Sequence, residues 1–258
     1  LESRGKGSII MGATDMLSIL CVVGARPNFM KIAPLMRRFN SANSGISATL
    51  LHTGQHYDEA MKQSFFDQLD IPTPDIDLGV GGGSHAVQTA EIMKRFEPVV
   101  DEINPDIVLV VGDVNSTVAC ALVAAKKNIK IVHVEAGLRS FDRAMPEEIN
   151  RLITDQLSDL LFTTEKDAVV NLNAEGIASE KVHFVGNVMI DTLLNNLDRA
   201  VCSKAIFTAA SATITNGYGL VTLHRPSNVD EKSVLEGIVE TLVNISEELP
   251  LAFPVHPR

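Results

Sequence analysis

Short apolar segments alternate with longer amphipathic segments along most of the chain. Several apolar segments are hydrophobic at consecutive positions, which is typical of strands covered on both faces of a parallel sheet. We therefore predict strands at 17–23, 48–52, 107–111, 129–134, 160–163, 182–185, 220–223 and 251–255. The segments between them have helical spacing, and we predict helices at 29–40, 58–69, 84–103, 116–127, 147–158, 166–175, 189–201 and 231–248.

This alternation predicts the α/β fold class with a doubly wound parallel sheet, because strand–helix–strand units with right-handed crossovers build such sheets. The pattern changes after Gly186. We expect residues 16–186 to form a Rossmann-like domain, 187–217 a linking helix and linker, and 218–258 the start of a second Rossmann-like domain. One strand–helix–strand unit cannot bury both faces of its own sheet, so we expect this second domain to be incomplete.

The composition narrows the class of partner. The net charge of −10 argues against nucleic acid and anionic membrane surfaces, which favour a basic protein surface. No run of 18 apolar residues is present, so no transmembrane helix is expected. The opening residues 1–15 lack the apolar core of a signal peptide, and we expect a disordered leader or an appended segment there. A few local arginines would still allow an anionic small-molecule substrate.

The cysteines and glycines indicate no cofactor. Cys21, Cys120 and Cys202 are far apart and have no zinc-site spacing, which fits a reducing, cytoplasmic setting. The glycines of 79–83 are too irregular for a dinucleotide fingerprint and do not follow a strand directly. No local cluster of histidines and carboxylates has the spacing of a metal site, so we expect none.

Ionisable residues follow most of the predicted strands. Ligands of open α/β sheets bind beyond the carboxyl ends of the strands, so these residues are candidates for a site. Arg26 precedes a predicted helix start, which suits a phosphate or carboxylate group. Glu135 directly follows a buried strand, where a carboxylate without a role would be costly.

Acids and bases are concentrated in residues 128–151. They are Glu135, Glu147 and Glu148 together with Arg139, Arg143 and Arg151. Carboxylates and cations at the mouth of a parallel strand indicate a site for an anionic substrate whose reaction needs proton transfer. We therefore interpret this segment as one wall of an active site.

Ordered sequence segments throughout residues 17–258 resemble the non-hydrolysing UDP-N-acetylglucosamine 2-epimerases. The segments are GARPNFMKIAPL (24–35), HTGQHYD (52–58), PDIVLVVGDVNST (105–117), HVEAGLRS (133–140), PEEINR (146–151), GNVMIDTL (186–193), TLHRPSNVD (222–230) and PVHPR (254–258). Their number and order make the resemblance more specific than any single motif.

The resemblance implies two Rossmann-like domains of the glycosyltransferase-B type with the active site between them. It implies epimerisation at C2 of UDP-N-acetylglucosamine by elimination of UDP, through 2-acetamidoglucal, and re-addition to give UDP-N-acetylmannosamine. It implies a homodimer and neither a nicotinamide nor a metal cofactor. A hydrolysing relative that releases N-acetylmannosamine and an inactive nucleotide-sugar-binding fragment stay open. A glycosyltransferase is disfavoured, because it would need one base rather than three carboxylates.

The resemblance also assigns roles to residues. The catalytic set it implies is Asp113, Glu135, Glu147 and His224. The substrate-binding set is Arg26, Lys31, Arg139, Arg225 and Asn228. Glu148 and Arg151 are then left with helix-surface or packing roles.

An allosteric nucleotide-sugar site is known in bacterial members of this family. The matching positions here are Gln55, His56, Gln88 and His256. Val87 stands where an arginine would be expected, and glycines precede it. This departure argues against allosteric activation in this protein.

Overall fold

The computed structural model describes residues 16–54, 73–201, 207, 217–223 and 226–254, which fall into two compact units, Leu1–Leu197 and Asp198–Arg258. The sheet of the first unit contains β1 (Leu17–Val23), β2 (Ile46–His52), β3 (Ile76–Asp77), β4 (Ile107–Val111), β5 (Lys130–Val134), β6 (Leu160–Thr163) and β7 (Val182–Phe184). Its order is β3-β2-β1-β4-β5-β6-β7 and every pairing is parallel. In the second unit, β8 (Gly219–Leu220) pairs in parallel with β9 (Leu251–Ala252).

Helices connect these strands. They are α1 (Arg26–Phe39), α2 (His85–Ile103), α3 (Asn115–Lys126), α4 (Pro146–Leu157), α5 (Lys166–Ala174), α6 (Val188–Asn196), α7 (Pro226–Val229) and α8 (Lys232–Ser246). The predicted α/β class is confirmed, and most predicted elements lie within a few residues of the observed ones. The short strand β3 was not predicted, and the helix predicted at 58–69 lies outside the described residues.

Both faces of the sheet are covered. On one face Leu20 and Val22 of β1 pack with Ile92 of α2 and Ala119 of α3. On the other face Cys21 and Val23 pack with the apolar side of α1, which consists of Phe29, Ile32, Ala33 and Met36. Neighbouring residues of β1 therefore face different layers, which explains why the strand is apolar at consecutive positions.

The helix α6 packs on the first unit. The hydroxyl Oγ1 of Thr192 donates a hydrogen bond of 2.6 Å to the carbonyl oxygen of Met30 on α1. The first compact unit, Leu1–Leu197, includes this helix. Within the described residues, no helix is long and apolar enough to cross a membrane.

The loop after β5 passes so close to α5 that it needs a glycine. Gly137 has φ +81, and a Cβ atom built on it would lie 2.6 Å from the carbonyl oxygen of Ala168. Gly176, which follows α5, has a similar φ of +80 but nothing within 4 Å of such a Cβ. The two glycines have nearly the same φ and differ in available space.

We expect Gly137→Ala to destabilise the protein more than Gly176→Ala. Both variants place a side chain in the left-handed region, at a cost of about 1–2 kcal/mol. Only Gly137→Ala adds a clash with rigid backbone, for a further cost of about 1–3 kcal/mol. Urea unfolding measures the free energy of unfolding of both variants. Equal decreases in the two variants would show that the close approach to Ala168 does not contribute to the destabilisation.

Candidate active site

The site is built around the turn after β4, Gly112 and Asp113, which we call the β4 turn. The chain runs outward from β1 through β2 to β3 and, in the other direction, from β4 through β5 to β7, so β1 and β4 form the switch point of the sheet. Ligands of doubly wound sheets bind at this crevice. Gly112 has φ +66, and a Cβ atom on it would lie 2.8 Å from Nζ of Lys31 and 3.4 Å from Oε2 of Glu135.

The start of α1 is fastened to the end of β4 by one buried amide. The side-chain oxygen of Asn28 accepts hydrogen bonds from the backbone N–H groups of Gly24 (3.1 Å) and Ala25 (3.0 Å). Its side-chain nitrogen donates to the carbonyl oxygen of Val111, at 3.0 Å. This bridge fixes the first turn of α1, and Lys31 projects from the next turn toward the β4 turn.

Lys31 and Glu135 form an ion pair beside the β4 turn. Nζ of Lys31 donates to Oε2 of Glu135, and the side chains are only 8% and 13% exposed. Burying either charge alone would be costly, so each group depends on the other. Glu135 also has φ +73, a conformation that costs a non-glycine residue on the order of 1–3 kcal/mol and is enriched at active sites.

Asp113 is held by two residues of α4. Nη1 of Arg151 lies 2.5 Å from Oδ2 of Asp113, whose side chain is 28% exposed. The side-chain amide of Asn150 donates to the backbone carbonyl oxygen of Asp113 at 2.8 Å. The carboxylate therefore keeps a fixed direction while part of its surface stays open to a ligand.

Arg151 also binds Glu148, and Glu148 organises the loop before α4. Nη2 of Arg151 donates to Oε2 of Glu148 at 2.7 Å. Glu148 accepts further hydrogen bonds of 3.0 Å from the backbone N–H groups of Ser140 and Phe141. Burial acts to raise the pKa of Glu148, but these backbone donors and Arg151 outweigh it and lower the pKa from 4.5 to about 2.

A buried network fixes the loop after β5. Arg139, whose side chain is 1% exposed, lies 2.7 Å from Asp155 and 2.6 Å from Glu175. Asp155 also binds His133 at 2.6 Å, and its other oxygen accepts the N–H of Gly137 at 3.1 Å. Burial opposes ionisation of Asp155, but the charges and hydrogen bonds of His133 and Arg139 lower its pKa below the usual value.

These contacts revise two sequence-based interpretations. Arg139 was predicted to bind substrate, but its buried guanidinium is engaged by two carboxylates, which favours a structural role. Glu148 and Arg151 were assigned to the helix surface or to packing. They are 2% and 8% exposed, which agrees with packing and not with the surface, and they also form the support of Asp113. The spacing in the sequence could have indicated this support, because positions 148, 151 and 155 lie on one side of a helix.

The other predicted site residues lie in different parts of the chain. Glu147 lies in the first turn of α4, is partly exposed, and forms no hydrogen bond or ion pair recorded within the described part of the chain. Gln88 is 8% exposed, and its Oε1 accepts from Asn115 at 2.7 Å. Five predicted residues lie outside the described part of the chain, namely Gln55, His56, His224, Arg225 and His256. The side chain of Arg26 also lies outside it. Asn228 belongs to α7 of the second unit.

The described residues also bear on metal binding. Among residues 16–54, 73–201 and the described parts of the second unit, no group of three or more His, Cys, Asp or Glu side chains is placed to hold a metal ion. Two carboxylates of the site, Glu135 and Asp113, are paired with Lys31 and Arg151. Such an arrangement of fixed carboxylates and cations can transfer protons next to an anionic group.

We predict that Glu148→Gln will lower the free energy of unfolding by about 3 kcal/mol near neutral pH, from the difference between pKa 4.5 and about 2. Because the folded-state pKa is lowered, this stabilisation is present above pH 4.5 and is lost as the pH falls toward 2. Urea unfolding at several pH values should show the difference between wild type and variant shrinking in that window.

The matched control is Glu180→Gln, which changes an exposed acid. This control should stay close to wild type at every pH, because exposed charges contribute little to stability. A Glu148→Gln variant as stable as wild type at neutral pH would contradict the role given to Glu148.

Comparisons with known proteins show the family of this chain. A family model described as UDP-N-acetylglucosamine 2-epimerase matches residues 39–258. A UDP-N-acetylglucosamine 2-epimerase homolog of Methanococcus maripaludis is 47% identical over 243 residues, which are 94% of this chain and 66% of that protein. The UDP-2,3-diacetamido-2,3-dideoxy-D-glucuronate 2-epimerase of Pseudomonas aeruginosa is 41% identical over 245 residues, which are 94% of this chain and 67% of that protein.

A solved structure extends the agreement to the fold. The crystal structure of Methanocaldococcus jannaschii UDP-GlcNAc 2-epimerase in complex with UDP-GlcNAc and UDP matches with a TM-score of 0.83 at 41% identity, over 94% of this chain and 67% of that chain. This chain thus spans about two thirds of the length of the relatives that it matches. The resemblance in the sequence is confirmed, and the chain belongs to the UDP-N-acetylglucosamine 2-epimerase family.

Proposed function

We propose that the protein interconverts UDP-N-acetylglucosamine and UDP-N-acetylmannosamine without hydrolysis. The observation that carries the proposal is the buried Lys31–Glu135 pair beside the β4 turn, in a chain of this family. The similar protein from Methanocaldococcus jannaschii was crystallised with UDP-GlcNAc and UDP, which supports a UDP-sugar as the substrate class.

The reaction balances without an added redox partner. A base removes the C2 proton of the sugar, the C1–O bond breaks, and UDP leaves with the bonding electron pair. The C1=C2 double bond of 2-acetamidoglucal results. In the reverse direction UDP adds to C1 while a proton is delivered to the other face of C2, which inverts that carbon. No electron is gained or lost overall, and we propose that neither a nicotinamide nor a metal takes part.

The first unit supplies the groups for proton transfer. Glu135 is ion-paired and enters the reaction as a carboxylate, the form that accepts a proton. Asp113 is oriented by Arg151, and Glu147 carries no recorded partner in the described residues. We assign the C2 proton transfers to these three carboxylates, each of which is worth roughly 10²–10⁴ in rate when well placed.

Cations neutralise the departing diphosphate in this proposal. We assign this role to Lys31 and Arg26 in the first unit and to His224 and Arg225 in the second, with Asn228 as a substrate contact. Positive groups held where charge develops stabilise a transition state more than a ground state. Arg139 is left out of this set because two buried carboxylates already engage it.

The substituents of the sugar, the oligomeric state, the cellular location and the regulation of the protein are also proposals. The relative from Pseudomonas aeruginosa is named for a diacetamido-dideoxy-glucuronate, so the substituents at C3 and C6 of the sugar are the features that vary within the family. We propose a homodimer in the cytoplasm.

Gln88, a candidate for an allosteric site, is 8% exposed and bound to Asn115, which adds to the argument from Val87 against allosteric activation.

The first prediction from this proposal concerns exchange at C2. Incubation of the protein with UDP-N-acetylglucosamine in D₂O should incorporate deuterium at C2 and form UDP-N-acetylmannosamine, because the C2 proton leaves in every elimination. Proton NMR of the sugar follows both events. Free N-acetylmannosamine as the product would identify a hydrolysing enzyme, and no exchange at C2 would contradict epimerisation altogether.

The second prediction concerns Glu135. Glu135→Gln should lower the C2 exchange rate by roughly 10²–10⁴ because the amide cannot accept the proton. Glu165→Gln, which changes an exposed acid at the start of α5, is the matched control and should exchange at the wild-type rate. Circular dichroism and urea unfolding check that both variants are folded. Wild-type exchange in a folded Glu135→Gln variant would reduce Glu135 to a structural role.

A further inference from the structure

His133 occupies a position between the β4 turn and the network behind it. It lies on β5 and is fully buried. Its Nδ1 atom is 2.6 Å from Oδ1 of Asp155, and its Nε2 atom is 2.8 Å from the carbonyl oxygen of Gly112. The ring is therefore hydrogen-bonded at both ends, to one residue of α4 and to the first residue of the β4 turn.

The nature of these two partners determines where the protons are. A carbonyl oxygen can only accept, so Nε2 must carry a hydrogen. An ionised carboxylate can also only accept, and the second oxygen of Asp155 already accepts from Gly137 and Arg139, as expected of a carboxylate. Nδ1 must then carry a hydrogen as well, which makes the ring an imidazolium.

With Asp155 ionised, as its lowered pKa indicates, the charges of the surrounding network balance only if His133 is protonated. Around Asp155 the structure places two carboxylates, Asp155 and Glu175, and the guanidinium of Arg139. With a neutral His133 the cluster would carry a net negative charge around two side chains that are fully buried. With an imidazolium the two anions face two cations, which is how buried charges are tolerated.

The bond from Nε2 acts directly on the turn that organises the site. The N–H of Gly112 donates to the carbonyl oxygen of Val134 at 3.0 Å, and its carbonyl oxygen accepts from His133. The next residue is Asp113, and the space above Gly112 is filled by Lys31 and Glu135. A shift of this peptide would thus displace Asp113 and disturb the ion pair together.

We propose that His133 is a positioning residue, a buried imidazolium whose Nε2–H holds the Gly112 carbonyl and thereby fixes Asp113 relative to the Lys31–Glu135 pair. The effect on rate rests on the proposed function, whereas the charge on the ring does not. Two measurements separate these parts of the proposal.

The first measurement is ¹⁵N NMR of the histidine side chains in the wild-type protein. The chain has seven histidines, and the signals of His133 are those that disappear in His133→Gln. Both ring nitrogens of His133 should resonate in the protonated range at neutral pH, each with a directly bonded hydrogen. One protonated and one unprotonated nitrogen would overturn the imidazolium, whatever the protein catalyses.

The second measurement compares two uncharged replacements. The amide nitrogen of asparagine replaces Nδ1 and can still bind Asp155, whereas that of glutamine replaces Nε2 and can still donate to Gly112. Positioning through Gly112 predicts that His133→Asn lowers kcat by about 100-fold, with KM little changed, because small misplacements of catalytic groups have such effects. His133→Gln should retain much more of the wild-type kcat.

Stability serves as the control for this comparison. Both variants lose the buried charge, so urea unfolding should show similar destabilisation of the two. Equal loss of kcat in both variants, or wild-type kcat in a folded His133→Asn variant, would overturn the positioning role. Absence of C2 exchange in the wild type itself would reject the proposed function and leave the NMR result to decide the charge of His133.

Discussion

A buried charge needs a partner, and this constraint shapes the carboxyl end of the sheet in the first unit. Lys31 and Glu135 are nearly buried and each neutralises the other. Gly112 leaves room for this pair, because a Cβ atom at that position would lie 2.8 Å from Nζ of Lys31. A site that binds an anionic substrate and moves a proton must keep both signs of charge close together, and pairing keeps them there at tolerable cost.

The helix α4 illustrates how structural and chemical roles divide along one element. On its buried side, Arg151 orients Asp113, Glu148 holds the preceding loop, and Asp155 balances the charges around His133. Glu147 precedes Glu148 in the sequence but lies about 100° away around the helix, and it has no recorded partner in the described residues. Adjacent carboxylates therefore differ in their surroundings, since Glu148 is buried and hydrogen-bonded whereas Glu147 is partly exposed.

The sequence predicts the sheet well because its strands are covered on both faces and are therefore apolar at consecutive positions. It does not predict β3, because two residues, Ile76 and Asp77, are too short to form a pattern. The carboxylates of the site follow from the resemblance and from their position after strands. The residues that support these carboxylates cannot be predicted in this way. Arg139 points into the protein and Arg151 crosses to Asp113, and both directions depend on packing between distant segments.

The most direct test of the account is a crystal structure of the protein with UDP-N-acetylglucosamine bound. We predict that C2 of the sugar lies within about 3–3.5 Å of a carboxylate oxygen of Asp113, Glu135 or Glu147, which is the separation expected of reacting groups. We also expect the β4 turn to keep its contacts with His133 and Arg151. A sugar bound away from all three carboxylates, with the Lys31–Glu135 pair out of reach of it, would contradict the account.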